Sequence, residues 1–168
     1  PIDIDENAEK VDPSKNEYYL YVGRVSKEKG VDLFCEAITE LGYKGIVVGD
    51  GDEKEKLEKR YPNIEFAGWK NKDEVKQYMK CARTLIFPSR WYETAGLTVL
   101  EAQSFGIPCL VYKKCAASEF TSDKNTFENL TDLIRKVKLN DYNAESIDFE
   151  KITIEKYVTD LNKIYRGI

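Results

Sequence analysis

The stretch YYLYVGRVSKEKGVDLFCEAITEL, residues 18–41, decides the fold class of this chain. It opens with an apolar, β-rich run at Tyr18–Val22 and continues into a polar turn that begins at Gly23. Apolar residues then recur at the spacing of a helix from Val31 to Leu41. This order predicts a strand, a loop and a helix.

The same unit repeats along the chain. Short apolar runs that predict further strands occupy residues 45–48, 64–66, 84–87 and 107–111. Segments that predict helices lie at 53–60, 71–79 and 97–105, and two more amphipathic segments follow at 126–137 and 154–164. We expect these last two helices to wrap the edge of the sheet. The alternation predicts an α/β domain with a Rossmann-like, open, mostly parallel sheet and helices on both faces.

Composition limits the classes of function. With 168 residues, 42% hydrophobic and 33% charged, the chain fits one globular domain. Its net charge of -4 gives no general attraction to nucleic acid or to an anionic membrane. No apolar run approaches the ~18 residues of a membrane span, and the acidic residues 1–12 do not resemble a signal peptide. We therefore expect a cytoplasmic protein that binds no nucleic acid.

Two residue types restrict the chemistry further. Because the cysteines are scattered and form no Cys-x-x-Cys pair, we interpret them as reduced thiols, mostly in the core: Cys35, Cys81, Cys109 and Cys115. The chain has no histidine, which excludes Ser-His and Cys-His catalysis and the common histidine metal sites from within it. We expect no metal and no other cofactor, so that carboxylates and cations carry the chemistry.

Ligands of open parallel sheets bind outside the carboxyl ends of the strands, so the loops there are the candidate site. The loop from Gly23 to Gly30 carries Arg24 and Lys29, five residues apart. A diphosphate in this loop would meet a bidentate guanidinium, a point charge and the N–H groups of a helix start. The alternative is a solvated, charged turn. The loop is not a P-loop, since the Gly-Lys-Ser/Thr ending is missing.

Two further loops contain glycines. Gly49-Asp50-Gly51 follows a predicted strand but lacks the third glycine of a dinucleotide fingerprint, so it indicates a tight turn. Gly68 and Trp69 follow the next strand, where the aromatic ring can contact a nucleotide base or become partly buried as packing.

The stretch PSRWYETAGLTVLEA, residues 88–102, contains Glu93 and Glu101, eight positions apart. A helical path of eight residues advances by about 12 Å, so both carboxylates could face one elongated ligand. Carboxylates accept hydrogen bonds from sugar hydroxyls, and Gly96 allows a close approach to the backbone.

Read together, these motifs are similar to glycosyltransferase family 4. They are Gly-Arg-x4-Lys-Gly, Val-Gly-Asp-Gly, Phe-x-Gly, and Pro-Ser-x3-Glu-x2-Gly-Leu-x3-Glu-Ala followed by Gly-x-Pro, and they run from about residue 18 to 119. In that family they belong to the C-terminal, donor-binding half of the GT-B fold. The resemblance implies an interdomain linker at 1–17, a donor-binding domain at 18–168, and an amino-terminal acceptor domain that is absent here.

The resemblance also implies roles for the site residues. Arg24 and Lys29 would neutralise the donor diphosphate in place of a metal, and Glu93 would meet the donor sugar. The remaining donor-binding positions would be Gly23, Gly49, Gly51, Gly68, Trp69, Gly96, Leu97 and the ribose-binding Glu101. The chain departs from the family at 115–119, where Cys-Ala-Ala-Ser-Glu stands in place of a Gly-Gly loop before a glutamate.

The implied function is retaining transfer of a hexose from a UDP- or GDP-sugar to a glycan or lipid-linked acceptor, in surface polysaccharide synthesis. The acceptor and any membrane surface would be reached through the absent domain, with the full-length protein peripheral at the inner membrane face. One alternative is a non-catalytic nucleotide or phosphosugar-binding module. Another is a nucleotide-sugar epimerase of the same architecture, which the lack of histidine disfavours.

Overall fold

A computed structural model describes residues 8–91 and 96–145. Its strands are β1 (Tyr18–Val22), β2 (Lys44–Val48), β3 (Ile64–Gly68), β4 (Ala82–Phe87), β5 (Cys109–Tyr112) and β6 (Thr126–Phe127). Its α-helices are α1 (Val31–Leu41), α2 (Lys54–Arg60), α3 (Lys72–Lys80), α4 (Leu97–Ser104) and α5 (Leu130–Leu139). Short 3-10 helices occupy Pro13–Lys15, Lys27–Lys29, Ala116–Phe120 and Asp123–Asn125.

The strands form one sheet in the order β3-β2-β1-β4-β5-β6, and every neighbouring pair is parallel. Leu20 at its centre lies opposite Ile46 on one side and Leu85 on the other. The chain first builds outward from β1 to β3 and then crosses back to place β4 on the opposite side of β1. The carboxyl ends of β1 and β4 therefore flank the point at which the strand order reverses, where open α/β sheets bind ligands.

Strand residues alternate between two hydrophobic cores, one on each face of the sheet. On one face Tyr21, Val47 and Ile86 pack against α1, α2 and α5 through Phe34, Leu57 and Leu133, among others. On the other face Leu20, Val48 and Leu85 pack against α3 and α4 through Met79, Val99 and Ala102. The predicted α/β class, with a Rossmann-like parallel sheet and helices on both faces, is confirmed.

The prediction of one helix over 126–137 is wrong at its start. Thr126 and Phe127 instead form β6, because they pair in parallel with Val111 and Tyr112 of β5. Helix α5 begins after Asn129, whose side chain accepts a hydrogen bond from the Asp132 N–H.

Helix α5 packs beside the edge strand β6. Leu133 and Val137, one turn apart, bury its apolar stripe in the core that Phe127 of β6 and Phe34 of α1 share. The helix predicted at 154–164 lies outside the described residues.

Residues 8–17 pack against the end of the sheet. Val11 N–H donates to the carbonyl of Phe105 at 3.0 Å, and the Asn16 amide donates to the carbonyls of Lys80 and Ala82 at 3.0 and 2.9 Å. This segment is thereby fixed beside the first residue of β4. The division into a linker at 1–17 and a donor-binding domain at 18–168 stays a prediction.

All four cysteines are free thiols, and three of them, Cys35, Cys109 and Cys115, are buried. Burial raises the pKa of Cys35 to about 12, so this thiol stays protonated at neutral pH. The expectation of reduced, mostly buried cysteines is confirmed, with Cys81 as the exposed exception. Within the described ranges, no helix is both long and apolar enough to cross a bilayer.

Candidate functional site

A cleft of about 230 Å³ opens at the reversal point of the sheet, and we call it the switch cleft. The ends of β1 and β4 and the start of α4 form its walls. Its lining residues are Tyr21, Val22, Gly23, Arg24, Lys29, Phe87, Ser89, Gly96, Leu97 and Thr98. Residues 21–29 thus meet a region far from them in sequence, residues 87–89 and 96–98, on one concave surface.

A second cleft of about 330 Å³ lies toward β2 and β3, and we call it the outer cleft. It is lined by Val22, Gly23, Arg24, Val48, Gly49, Asp50, Trp69, Lys70 and Val75. Because Val22, Gly23 and Arg24 line both clefts, a single elongated ligand could occupy both at once.

Arg24 and Lys29 both line the switch cleft. Across residues 8–91 and 96–145, the exposed guanidinium of Arg24 forms no ion pair or hydrogen bond, so its donors face solvent. Glu28 lies near both cations, and its pKa is lowered chiefly by the hydrogen bond that the Ser26 hydroxyl donates at 2.6 Å. That carboxylate therefore stays ionised at neutral pH and has a partner of its own.

Hydrogen bonds fix the loop that carries Arg24. The Tyr21 hydroxyl donates to the Arg24 carbonyl at 2.7 Å, which holds the turn directly after β1. Val25 N–H donates to the carbonyl of Asp50 at 2.9 Å, and the Val25 carbonyl accepts from Glu53 N–H at 3.1 Å. The loops after β1 and β2 therefore form one hydrogen-bonded unit.

Gly49 permits the close approach of these two loops. Its φ is 141°, and a Cβ at this position would lie 1.9 Å from the Gly23 carbonyl oxygen. The Gly49 N–H donates to the carbonyl of Gly68 at 2.9 Å, which links the loop after β3 as well. Gly51 packs in a similar way on the Val25 backbone. Gly49 lines the outer cleft, whereas Gly51 and Gly68 are not among its lining residues.

The amino end of α4 faces the switch cleft through Gly96, Leu97 and Thr98. The Gly96 carbonyl accepts from the N–H groups of Val99 and Leu100 at 2.8 and 3.3 Å, so the helix begins here. The first N–H groups of a helix have no intrahelical partner and carry a partial positive charge. Together with Arg24 and Lys29, they make this cleft suited to an anion.

The two carboxylates predicted for the site are Glu93 and Glu101, and the structure describes one of them. Glu101 is half-buried on α4, one helical turn after Leu97, and thus shares the face that borders the switch cleft, although it is not among the lining residues. Glu93 lies outside the described residues.

Trp69 is 74% exposed and lines the outer cleft. The alternative in which its ring is buried as packing is therefore wrong. An exposed indole beside Lys70 offers a flat surface to an aromatic ligand.

Sequence reasoning missed several lining residues. Ser89 and Thr98 line the switch cleft, and Asp50 lines the outer cleft. The position of Ser89 in the site could have been predicted, because Ser89 follows β4 in a loop that was already expected at the ligand-binding edge of the sheet. That of Tyr21 could not, since its place in an apolar strand indicates core.

No three acidic, cysteine or histidine side chains of the described segments lie close enough together to hold a metal ion. That metal takes no part in the chemistry stays a prediction.

Comparison with known proteins identifies the family. The family model described as glycosyl transferases group 1 matches residues 3–146, which is most of the chain. An uncharacterized 41.2 kDa protein in the cps region of Klebsiella pneumoniae is 33% identical over 129 residues, covering 73% of this chain and 35% of that protein. A lipopolysaccharide 1,2-N-acetylglucosaminetransferase of Salmonella typhimurium is 28% identical over 161 residues, covering 84% of this chain and 42% of the enzyme.

A solved structure shares the fold. The Anabaena protein HepE, crystallised in complex with UDP, matches with a TM-score of 0.64 at 20% identity, over 76% of this chain and 39% of that one. The chain spans less than half the length of each of these relatives. The α/β architecture and the match to the family model confirm the predicted resemblance. This chain belongs to the glycosyl transferases group 1 family, whose members are glycosyltransferase enzymes.

Proposed function

We propose that this chain is the donor-binding domain of a retaining glycosyltransferase that takes a hexose from a UDP- or GDP-sugar. The observation that carries the proposal is the convergence of Arg24, Lys29 and the amino end of α4 on the switch cleft. A diphosphate is the ligand that best matches two cations beside unpaired backbone N–H groups.

The outer cleft would receive the nucleoside. It adjoins the switch cleft through Gly23 and Arg24 and presents the exposed Trp69 and the Lys70 side chain. Aromatic rings stack on nucleotide bases, and an indole can do so without recognising one base alone. Glu101, on the helix face that borders the switch cleft, would accept hydrogen bonds from ribose hydroxyls.

The proposed chemistry is electrostatic. Negative charge develops on the departing nucleoside diphosphate as the bond to the sugar breaks. Preorganised donors at that position lower the barrier, and one such donor typically contributes about 3 kcal/mol. Arg24, Lys29 and the α4 amides would fill this role without a metal, and Glu93 would hydrogen-bond the donor sugar rather than attack it.

The relatives support this proposal and suggest a biological setting. The solved HepE structure contains UDP, and the Salmonella relative is by name a lipopolysaccharide N-acetylglucosaminetransferase. We propose a surface-polysaccharide role, with the acceptor bound by a further domain that the chain needs for turnover.

Calorimetric titration with UDP, GDP and ADP in the presence of EDTA tests the donor-binding proposal. We expect one of them to bind, and Arg24→Ala to weaken that binding by about tenfold or more, because a hydrogen bond to a charged group is lost. Lys27→Ala is the matched control, since Lys27 is an exposed cation of the same loop that lines neither cleft. Absence of binding to all three nucleotides, or an equal loss in both variants, would contradict the proposal.

A further inference from the structure

Arg90 joins two loops that line the switch cleft, the loop after β1 and the loop after β4. It follows Ser89 in the loop after β4 and lines neither the switch cleft nor the outer cleft. Its guanidinium forms a bidentate pair with Asp32 of α1, with Nη1–Oδ1 and Nη2–Oδ2 distances of 3.0 and 2.8 Å. Bidentate arginine–carboxylate pairs fix orientation as well as distance.

Two further bonds connect Arg90 to the turn before α1. Its Nη1 also donates to the Lys27 carbonyl at 3.3 Å, and its backbone N–H donates to the Glu28 carbonyl at 2.8 Å. The anchor points at residues 27, 28 and 32 lie on both sides of Lys29. One residue thus holds the segment that presents the second cation to the cleft.

The turn that carries Lys29 has little regular structure of its own. Lys29 is the last residue of a three-residue 3-10 helix, Lys27–Lys29, a structure with poorer hydrogen-bond geometry than an α-helix. A lysine also has a long, flexible stem, so a displaced backbone would move its ammonium group away from a bound anion. Loops of this kind are among the less stable parts of a fold.

We propose that Arg90 is a positioning residue that acts through Lys29 and preorganises the switch cleft for a diphosphate. It does not contact the ligand. Its side chain and that of Asp32 are 38% and 40% exposed, so the pair is partly screened by solvent, and its main effect is on the geometry of the turn rather than on global stability. This inference rests on the proposed donor-binding function.

A double-mutant cycle on the whole chain tests the inference. UDP, GDP and ADP are each titrated into the wild type, Arg90→Ala, Lys29→Ala and the double variant. The corresponding nucleosides are titrated separately into the same four proteins. We expect Arg90→Ala to weaken binding of the preferred diphosphate by about fivefold and to leave the nucleoside unchanged. In the Lys29→Ala background, the same substitution should have almost no further effect.

Three additional variants separate positioning from damage to the fold. Asp32→Asn should reproduce the Arg90→Ala loss, and Arg90→Lys should restore only part of the affinity, because an ammonium group cannot bind bidentately. Arg135→Ala is the matched control, since it removes an exposed arginine that pairs with Asp132 at 2.8 Å on α5, away from both clefts. Its affinity should equal that of the wild type.

The outcomes distinguish this inference from the proposed function. If the wild type binds a diphosphate and Arg90→Ala binds it equally well, the inference is wrong and the donor-binding function stands. An equal loss in the wild-type and Lys29→Ala backgrounds would also overturn it, because Arg90 would then act independently of Lys29. If the wild type binds none of the diphosphates, both are wrong. Should Arg90→Ala fail to fold, Asp32→Asn completes the cycle in its place.

Discussion

At the scale of single residues, the site depends on backbone contacts between loops as much as on charged side chains. The carbonyl oxygen of Gly23, in the loop that carries Arg24, lies where a side chain at Gly49 would begin. The position of the guanidinium is therefore set partly by the absence of a methyl group in the loop after β2. This dependence leads to a stability prediction.

Gly49→Ala should destabilise the fold by at least about 3 kcal/mol. The added Cβ would lie 1.9 Å from the Gly23 oxygen, so a backbone segment must move, and the φ of 141° is itself strained for alanine. The free energy of unfolding in urea, followed by circular dichroism, measures the loss.

Gly42→Ala is the control for backbone strain alone. Gly42 also has a positive φ, 67°, but a Cβ there would meet no atom within 4 Å. We expect a cost of about 1 kcal/mol from the left-handed conformation. Equal losses in the two variants would show that contact with Gly23 contributes nothing.

The sequence predicted the charged members of the site better than it explained the glycines. Arg24, Lys29, Gly96 and Leu97 were expected at the ligand edge and do line the switch cleft. Gly51 packs against the Val25 backbone, and its predicted part in donor binding stays a prediction. A sequence shows that a glycine occupies a position, but what lies next to it depends on contacts between distant segments.

At the scale of elements, helix α3 shows how local chemistry sets a boundary. The Asn71 side chain accepts hydrogen bonds from the N–H groups of Asp73 and Glu74, both at 3.0 Å, and the Glu74 carboxylate accepts from the Asn71 N–H at 3.0 Å. This reciprocal capping box satisfies groups that a helix start leaves unpaired. The helix carries Val75 to the wall of the outer cleft.

Asn71→Ala should lower the free energy of unfolding by about 1 kcal/mol, because the cap bonds are lost while the helix interior is unchanged. Asn71→Asp keeps an acceptor oxygen and should retain most of the stability. Gln77→Ala, at an exposed position within the same helix, should change stability by less than about 0.5 kcal/mol. Urea unfolding of the three variants gives the comparison, and a loss in Gln77→Ala as large as that in Asn71→Ala would contradict the role of the cap.

The elements that the sequence predicted are those with strong local signals. Strand β1 has the predicted bounds, and α3 (Lys72–Lys80) lies within one residue of the predicted 71–79 at each end. Strand β6 was missed because its two residues, Thr126 and Phe127, are strand only by pairing with β5. A strand of two residues is too short to show an alternating pattern of apolar and polar residues. Its conformation is therefore decided by pairing with residues that are distant in the sequence. In the structure, α5 starts directly after Asn129, whose side chain caps the helix.

At the scale of the whole molecule, the parallel sheet brings cations together in one cleft, although the chain as a whole is acidic. The net charge is -4, yet Arg24, Lys29 and the amino end of α4 meet at one edge of the sheet. The strand order brings them together, because the reversal between β1 and β4 places the loop after β1 beside the start of α4. Composition alone predicted only that the chain has no general attraction to nucleic acid or to an anionic membrane.

This charge distribution predicts how nucleotide binding depends on salt. Raising NaCl from 50 to 500 mM shortens the screening length from more than 10 Å to about 4 Å, and should weaken UDP binding by about five- to tenfold. Under the same change, UMP should lose less affinity and uridine less than twofold, because the attraction scales with ligand charge.

Arg24→Ala should flatten the salt dependence for UDP and leave that for uridine unchanged, because the variant removes one of the charges that salt screens. Titrations at four salt concentrations give the slopes. Equal slopes for UDP and uridine would mean that the charge of the ligand does not affect its affinity, so that the cations of the switch cleft exert no net attraction on it. In that case the convergence of Arg24, Lys29 and α4 would be a feature of packing without electrostatic consequence.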